Sequence, residues 1–211
     1  MFSYNEESKP ARQLAVPIRH PQLADWVRVP EIPPMQKIII ALLMVIGGAI
    51  AFAAEDSAQW INYTSPTGHY SVLLPAEPKL MDQEAATPTG EKIPQYIAVV
   101  EDSTATYMLA YFDYSKSTQS FSFDTARDGM LANMKGTLVS EKPISLGRYP
   151  GREVKISAKS NDGTELISRC KFFDVNKRIY IIQFLFKKAN DNGEVAAKAI
   201  KFFDSFKVAK S

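Results

Sequence analysis

One imidazole and one thiol, His69 and Cys170, are the only groups of their kind after residue 54. Paired, they would make a thiolate nucleophile and its base; alternatively His69 could activate a serine, and either arrangement would give a hydrolase. Neither has an activating context. His69 opens an early strand beside a turn, the ordinary place for a structural histidine, and no nucleophile elbow surrounds a serine. Structural zinc sites draw on four Cys or His ligands, more than these two residues supply. Asp162-Gly163 and Asp191-Asn192-Gly193 look like fragments of calcium loops but lack the alternating acidic run. The other carboxylates are scattered, and no glycine loop cradles a phosphate. The expectation is a chain without a catalytic set, a metal site or a cofactor.

Recognition chemistry is better represented. In Arg148-Tyr149-Pro150-Gly151-Arg152 two arginines flank a turn, and arginine and tyrosine are enriched at the centres of interfaces. The plainer reading is an inter-strand turn whose backbone is set by Pro150-Gly151. Tyr107, Tyr111 and Tyr114 could line a pocket for an apolar ligand or simply pack between sheet and helix. Cys170 shares a strand face with Leu166, Ser168 and Phe172, which reads as a packed free thiol.

What precedes these residues assigns them a compartment. Met35 to Ala54 has one lysine, an uncharged apolar run from Ile38, and small residues at Ala51 and Ala53 that fit an A-x-A cleavage rule. Cleavage at Ala53 or Ala54 would release a single domain of residues 55–211 to the periplasm or the medium. The rival is an uncleaved signal-anchor tethering the domain to the inner membrane. Its apolar run of 17 residues, 38–54, is at the lower edge of what spans ~30 Å of hydrocarbon. Residues 1–34 hold six prolines, no hydrophobic period and balanced charge, so disorder is expected there, and a true start at Met35 is the accompanying expectation. Between residues 55 and 211, 20 basic face 19 acidic side chains, which offers no electrostatic case for nucleic acid. A lone cysteine forms no internal disulfide, so packing must stabilise the domain. A monomer is expected.

The elements that position these groups can be read from period and turn chemistry. Trp60–Thr64, a turn at Ser65–Gly68 and His69–Leu74 form a hairpin; residues 76–92 are a loop or weak edge strand. Tyr96–Val100 and Thr106–Phe112 are two more strands. A helix follows, capped by Ser122 and stopped by Gly136, with a stripe of Phe123, Ala126, Met130 and Met134. Strands resume at Thr137–Val139, at Glu153–Lys159 (Val154, Ile156 and Ala158 inward), at Leu166–Phe173 and, after an Asn176-Lys177 turn, at Ile179–Phe186. This last strand is apolar on both faces, Ile179, Ile181 and Leu185 against Tyr180, Ile182, Phe184 and Phe186. It must therefore lie centrally and be covered twice. Glu194–Phe206 supplies a covering helix, with Val195, Ala199, Phe202 and Phe206 as its seam, widened by Ile200 and Phe203. The result is an α+β design: a central, mainly antiparallel sheet with helices packed on its faces, an α/β/α sandwich.

Four segments carry a family resemblance: Tyr63-Thr-Ser-Pro-Thr-Gly-His-Tyr-Ser-Val72, Tyr149-Pro-Gly-Arg-Glu153, Arg178-Ile-Tyr-Ile-Ile182 and Lys201-Phe-Phe-Asp-Ser-Phe-Lys207. Over most of residues 60–208 the chain resembles the PsbP-like superfamily, in particular its exported bacterial members. The resemblance implies a non-enzymatic role. Some relatives are accessory subunits of photosynthetic complexes and others bind a small GTPase, but no residue set here maps onto either interface. The expected function is an exported accessory domain that binds an envelope or membrane-associated protein. A small-molecule or lipid binder with a cavity between sheet and helices is the second expectation, and a hydrolase the third.

Overall fold

A computed structural model describes residues 59–86, 91–117 and 120–209. The leader, the apolar segment and the expected cleavage point at Ala53 and Ala54 lie outside the described residues. Among the described residues no helix is long and apolar enough to cross a membrane.

The strand that is apolar on both faces dictates the architecture. This strand, β9 (Arg178–Lys187), is the fourth of seven in a sheet ordered β3-β4-β5-β9-β8-β7-β6. Its neighbours are β5 (Ala105–Asp113) and β8 (Glu165–Val175); the outer strands are β4 (Lys92–Glu101) and β3 (Lys79–Ala86) on one side, β7 (Tyr149–Lys159) and β6 (Thr137–Leu146) on the other. All six pairings are antiparallel. Ile179, Ile181 and Leu185 enter one core, and Tyr180, Ile182, Phe184 and Phe186 enter the other, as their alternation requires.

Helix α1 (Phe123–Met134) covers the first core with Ala126, Met130 and Met134, over Val154, Ile156, Ala158 and Cys170. The Ser122 hydroxyl accepts from the Thr125 N–H (3.2 Å) and caps it. Its stop differs from expectation. Lys135, not Gly136, takes the left-handed position (φ 46°), and the Gly136 N–H then reaches the Leu131 carbonyl at 2.9 Å.

The second core has a mixed cover, so the α/β/α description holds only in part. Helix α2 (Gly193–Ser205), capped by Asn192, packs there beside a three-stranded sheet of β1 (Ile61–Ser65), β2 (Tyr70–Leu74) and β10 (Lys207–Val208) in the order β1-β2-β10. Val195, Ala199, Phe202 and Phe206 form the α2 seam, with Phe203 beside it. Burying four such side chains contributes roughly 5–10 kcal/mol gross. Ile200 does not join the seam: it lies about 100° round the helix from Ala199 and is 55% exposed. His69 likewise falls in the turn, with φ 53°, rather than opening β2.

The edges account for the remaining differences. Residues 76–92 contain β3, an edge strand, and the start of β4. Pro94 is tolerated inside β4 because the ladder to β5 begins only at Gln95. Strand β6 runs on to Leu146, well past Val139, with a bulge between Leu138 and Ser140. Its turn into β7 is Gly147-Arg148, not Tyr149-Pro150-Gly151. Gly147 has φ 59°, as the first central residue of a two-residue hairpin loop often does. Pro150 and Gly151 are paired residues of β7, and a Cβ on Gly151 would lie 2.5 Å from the Phe172 carbonyl oxygen. That glycine serves strand packing.

Candidate functional site

At one end of the large sheet the turns β6–β7, β8–β9 and β1–β2 come together with the end of β5. Tyr149, first residue of β7, leans to the α2 side. Its hydroxyl accepts from Arg148 Nη2 (3.2 Å) and from Asn176 Nδ2 (3.4 Å). The Arg148 guanidinium also lies 5.2 Å from the Tyr149 ring centroid. The hydrogen bond from Arg148 lowers the phenol's pKa below its ordinary value.

Two strands away, about 10 Å by sheet spacing, Arg178 opens β9. It donates through Nη2 to Asp113 Oδ2 (2.8 Å) and stands over the Tyr111 ring at 5.5 Å. Burial opposes ionisation of Asp113, but the Ser115 hydroxyl and the Arg178 guanidinium hold its carboxyl down at about 2. Tyr111 donates to Thr67 Oγ1 (2.7 Å) and Tyr180 to the Gly68 carbonyl (2.7 Å), which pins the β1–β2 turn onto the sheet. The rim thus presents Arg148, Tyr149, Asn176 and Arg178 on a braced base. The Asn176-Lys177 turn was legible in the sequence; its contact with Tyr149 was not, because β7 and the β8–β9 turn meet only through the sheet.

Arg152 does not belong to this rim. Alternation along β7 sends it to the α1 side, opposite to Tyr149. There it bonds Asp124 Oδ1 (2.8 Å) and Glu141, and its guanidinium lies 5.6 Å from the Phe123 ring. Arg127 closes the cluster on Glu141 (2.8 Å) and Asp128 (2.8 Å). Burial alone would raise Glu141, but hydrogen bonds from Arg152 and Arg127 hold it below the usual carboxylate range. This network ties the start of α1 to β6 and β7.

The other candidates separate too. Cys170 is fully buried under α1, and burial pushes its thiol well up. His69 sits exposed in the turn beside Tyr70, a residue of the opposite core. Tyr107 packs edge-on to Phe184 and Phe202 on the α2 side, whereas Tyr114 lies in the α1-side core, so the three tyrosines line no common pocket. Tyr107 instead donates to Asp102 Oδ2 (3.0 Å), whose other oxygen accepts from the Thr104 and Ala105 N–H groups. Lys198 of α2 reaches Asp102 at 3.4 Å, fastening the helix to the β4–β5 turn. Among the described residues no three His, Cys, Asp or Glu side chains gather as a metal site.

No family model matches the chain, and a search of curated proteins finds no relative. Solved structures resemble it at low identity. A cyanobacterial PsbP, CyanoP from Synechocystis sp. PCC 6803, is 11% identical with a TM-score of 0.48, over 76% of this chain and 98% of that one. A Pseudomonas aeruginosa protein of unknown function, PA94, is 11% identical with a TM-score of 0.37, over 67% and 94%. A Bacteroides thetaiotaomicron protein is 14% identical with a TM-score of 0.42, over 71% of this chain and 48% of that one.

Proposed function

We propose that the chain is an exported, non-catalytic binding domain that associates with an envelope or membrane-associated protein. The observation that carries this reading is the rim at the turn end of the sheet. Asn176 and Arg148 both donate to the Tyr149 hydroxyl, beside a base braced by Arg178, Asp113 and Thr67. Rigid aromatic and guanidinium groups of this kind lose little conformational entropy on binding and anchor protein interfaces. The distribution of reactive groups agrees with binding rather than catalysis. The thiol is sealed in the α1-side core, and the imidazole lies in a turn of the small sheet against the other core.

Affinity capture from envelope extract tests this reading, with wild type compared against an Arg148→Ala/Tyr149→Ala double variant. A specific prey retained by wild type and lost from the variant is expected; identical prey sets would remove the rim from the account.

A second reading, a small-molecule binder, rests on two buried glutamines on the α1 side of the sheet. Gln95 is 0% and Gln183 1% exposed. Gln95 Oε1 accepts from Gln83 and Gln183 Nε2 donates to Ser168, but the Nε2 of the first and the Oε1 of the second have no hydrogen-bond partner among the described residues. A buried amide atom left unpaired in this way costs free energy unless a guest satisfies it. Native mass spectrometry after gentle purification should then show a co-purified mass that Gln95→Leu loses.

A further inference from the structure

The charges of the domain balance overall, yet they are not evenly placed. On the α2 side of the sheet, α2 and the small sheet cover β5, β9 and both ends of β8 (Ile167, Phe173 and Val175), and Ile144, Leu146 and Tyr149 of β6 and β7 pack against the same core. Between these, the middle of β8, β7 and β6 forms a face that is only partly covered. Strand register puts two adjacent rows there: Ser140–Lys155–Arg169 and Lys142–Glu153–Lys171. Rows are spaced by two residues, about 6.8 Å, and strands by about 4.8 Å. Four cations therefore surround one carboxylate within a patch roughly 10 Å across.

The heads are held in place. Arg169 and Lys171 stand 5.4 and 4.8 Å from the Phe203 ring centroid at the edge of α2. Glu153 orients Lys142 (3.4 Å) and Arg169 (3.8 Å). Lys155 and Lys171 have no carboxylate partner among the described residues. On the α1 side of the same strands the balance reverses, with Arg127 and Arg152 answered by Asp124, Asp128 and Glu141.

We infer that this face is a docking surface for an acidic segment of a partner protein, an inference that rests on the binding-domain reading above and names a second contact for it. Lys155 on β7 and Lys171 on β8 lie on a diagonal of about 8 Å, one strand and one row apart, with Glu153 at its corner. Carboxylates on alternate residues of an extended segment repeat at about 6.8 Å, within reach of both long lysine side chains. A continuous polyanion is opposed by that central carboxylate. An anionic membrane surface would gain little apolar insertion: on this face Ile144 packs against the α2-side core and Ser140 and Ser157 are polar, which leaves Leu138 and Val139 at the β6 bulge as the exposed apolar side chains nearby. The β6 bulge and Pro143 protect the strand edge, so the segment lies across the face instead of extending the sheet.

The test is fluorescence anisotropy at low salt, with the full chain and a labelled peptide alternating glutamate and serine. Its glutamine counterpart, an oligothymidylate and vesicles rich in phosphatidylglycerol serve as competing probes. The glutamate peptide binds wild type; Lys155→Glu/Lys171→Glu weakens it at least about tenfold, and exposed Lys92→Glu/Lys116→Glu outside the face leaves it unchanged. The milder Lys155→Gln/Lys171→Gln pair gives the same direction should the reversal variant fail to fold. Equal binding by face variants and wild type, equal binding of the glutamine peptide, or preference for the oligonucleotide or vesicles would overturn the inference. Peptide loss with envelope capture intact sinks the face alone, whereas capture independent of Arg148 and Tyr149 with peptide binding intact sinks the rim alone.

Discussion

Cys170 illustrates how a single residue's chemistry is decided by its depth. The thiol lies between Val154 and Gln183 in the strand register, fully buried, and burial disfavours the thiolate that would react. Folded protein should therefore resist a thiol reagent until denaturant is added; rapid stoichiometric labelling of the native state would contradict the buried assignment. Asp113 makes a second residue-scale prediction. Its carboxyl titrates near 3.8 in an unfolded chain but about 2 in the fold, so the folded form holds its proton less readily. Its stabilisation is complete above about pH 4 and is lost as pH falls toward about 2. Solvent screening limits it to at most about 1 kcal/mol. Denaturation of wild type and Asp113→Asn should show a gap at neutral pH that closes at the acid end; a gap that stays constant would assign the effect to something other than this ionisation.

At the scale of elements, the two helices are fixed by different means. Helix α2 depends on its seam, and Phe202, 0% exposed against Tyr107 and Phe184, carries much of it. Phe202→Ala should cost about 3–5 kcal/mol by cavity formation, read from chemical denaturation; a change near zero would mean the helix is not docked. Turns with left-handed residues offer the opposite sign. Lys177 (φ 65°) is the second central residue of the Asn176-Lys177 hairpin, where glycine is preferred, so Lys177→Gly should stabilise by about 0.5–1 kcal/mol. These elements also show what the sequence could reveal. The two-faced apolar pattern of Ile179–Phe186 predicts the central strand correctly, because burial on both sides leaves no polar position to blur it. The edge strand β6 was legible only to Val139, because most of its side chains face solvent and no alternation remains. The Arg148–Arg152 segment differs from expectation for a related reason. Pro150-Gly151 looks like turn chemistry, yet both are strand residues, and alternation then sends Arg152 to the face opposite Tyr149. The pairing of β10 with β2 joins residues more than a hundred positions apart, and nothing local announces it.

For the whole molecule, a seven-stranded antiparallel sheet separates two cores and gives its outer surfaces different characters. One end presents the Arg148–Tyr149 rim, and the far α2-side face presents the lysines and Arg169. The proposal that these surfaces serve a partner in the envelope depends on the domain reaching that compartment, and thus on the apolar segment from Ile38 to Ala54. Intact-mass analysis of the protein recovered from fractionated producer cells tests that most directly. The account predicts a chain beginning at Ala54 or Glu55 in the periplasmic or secreted fraction. A full-length chain beginning at Met1 and recovered from the cytosol would contradict it.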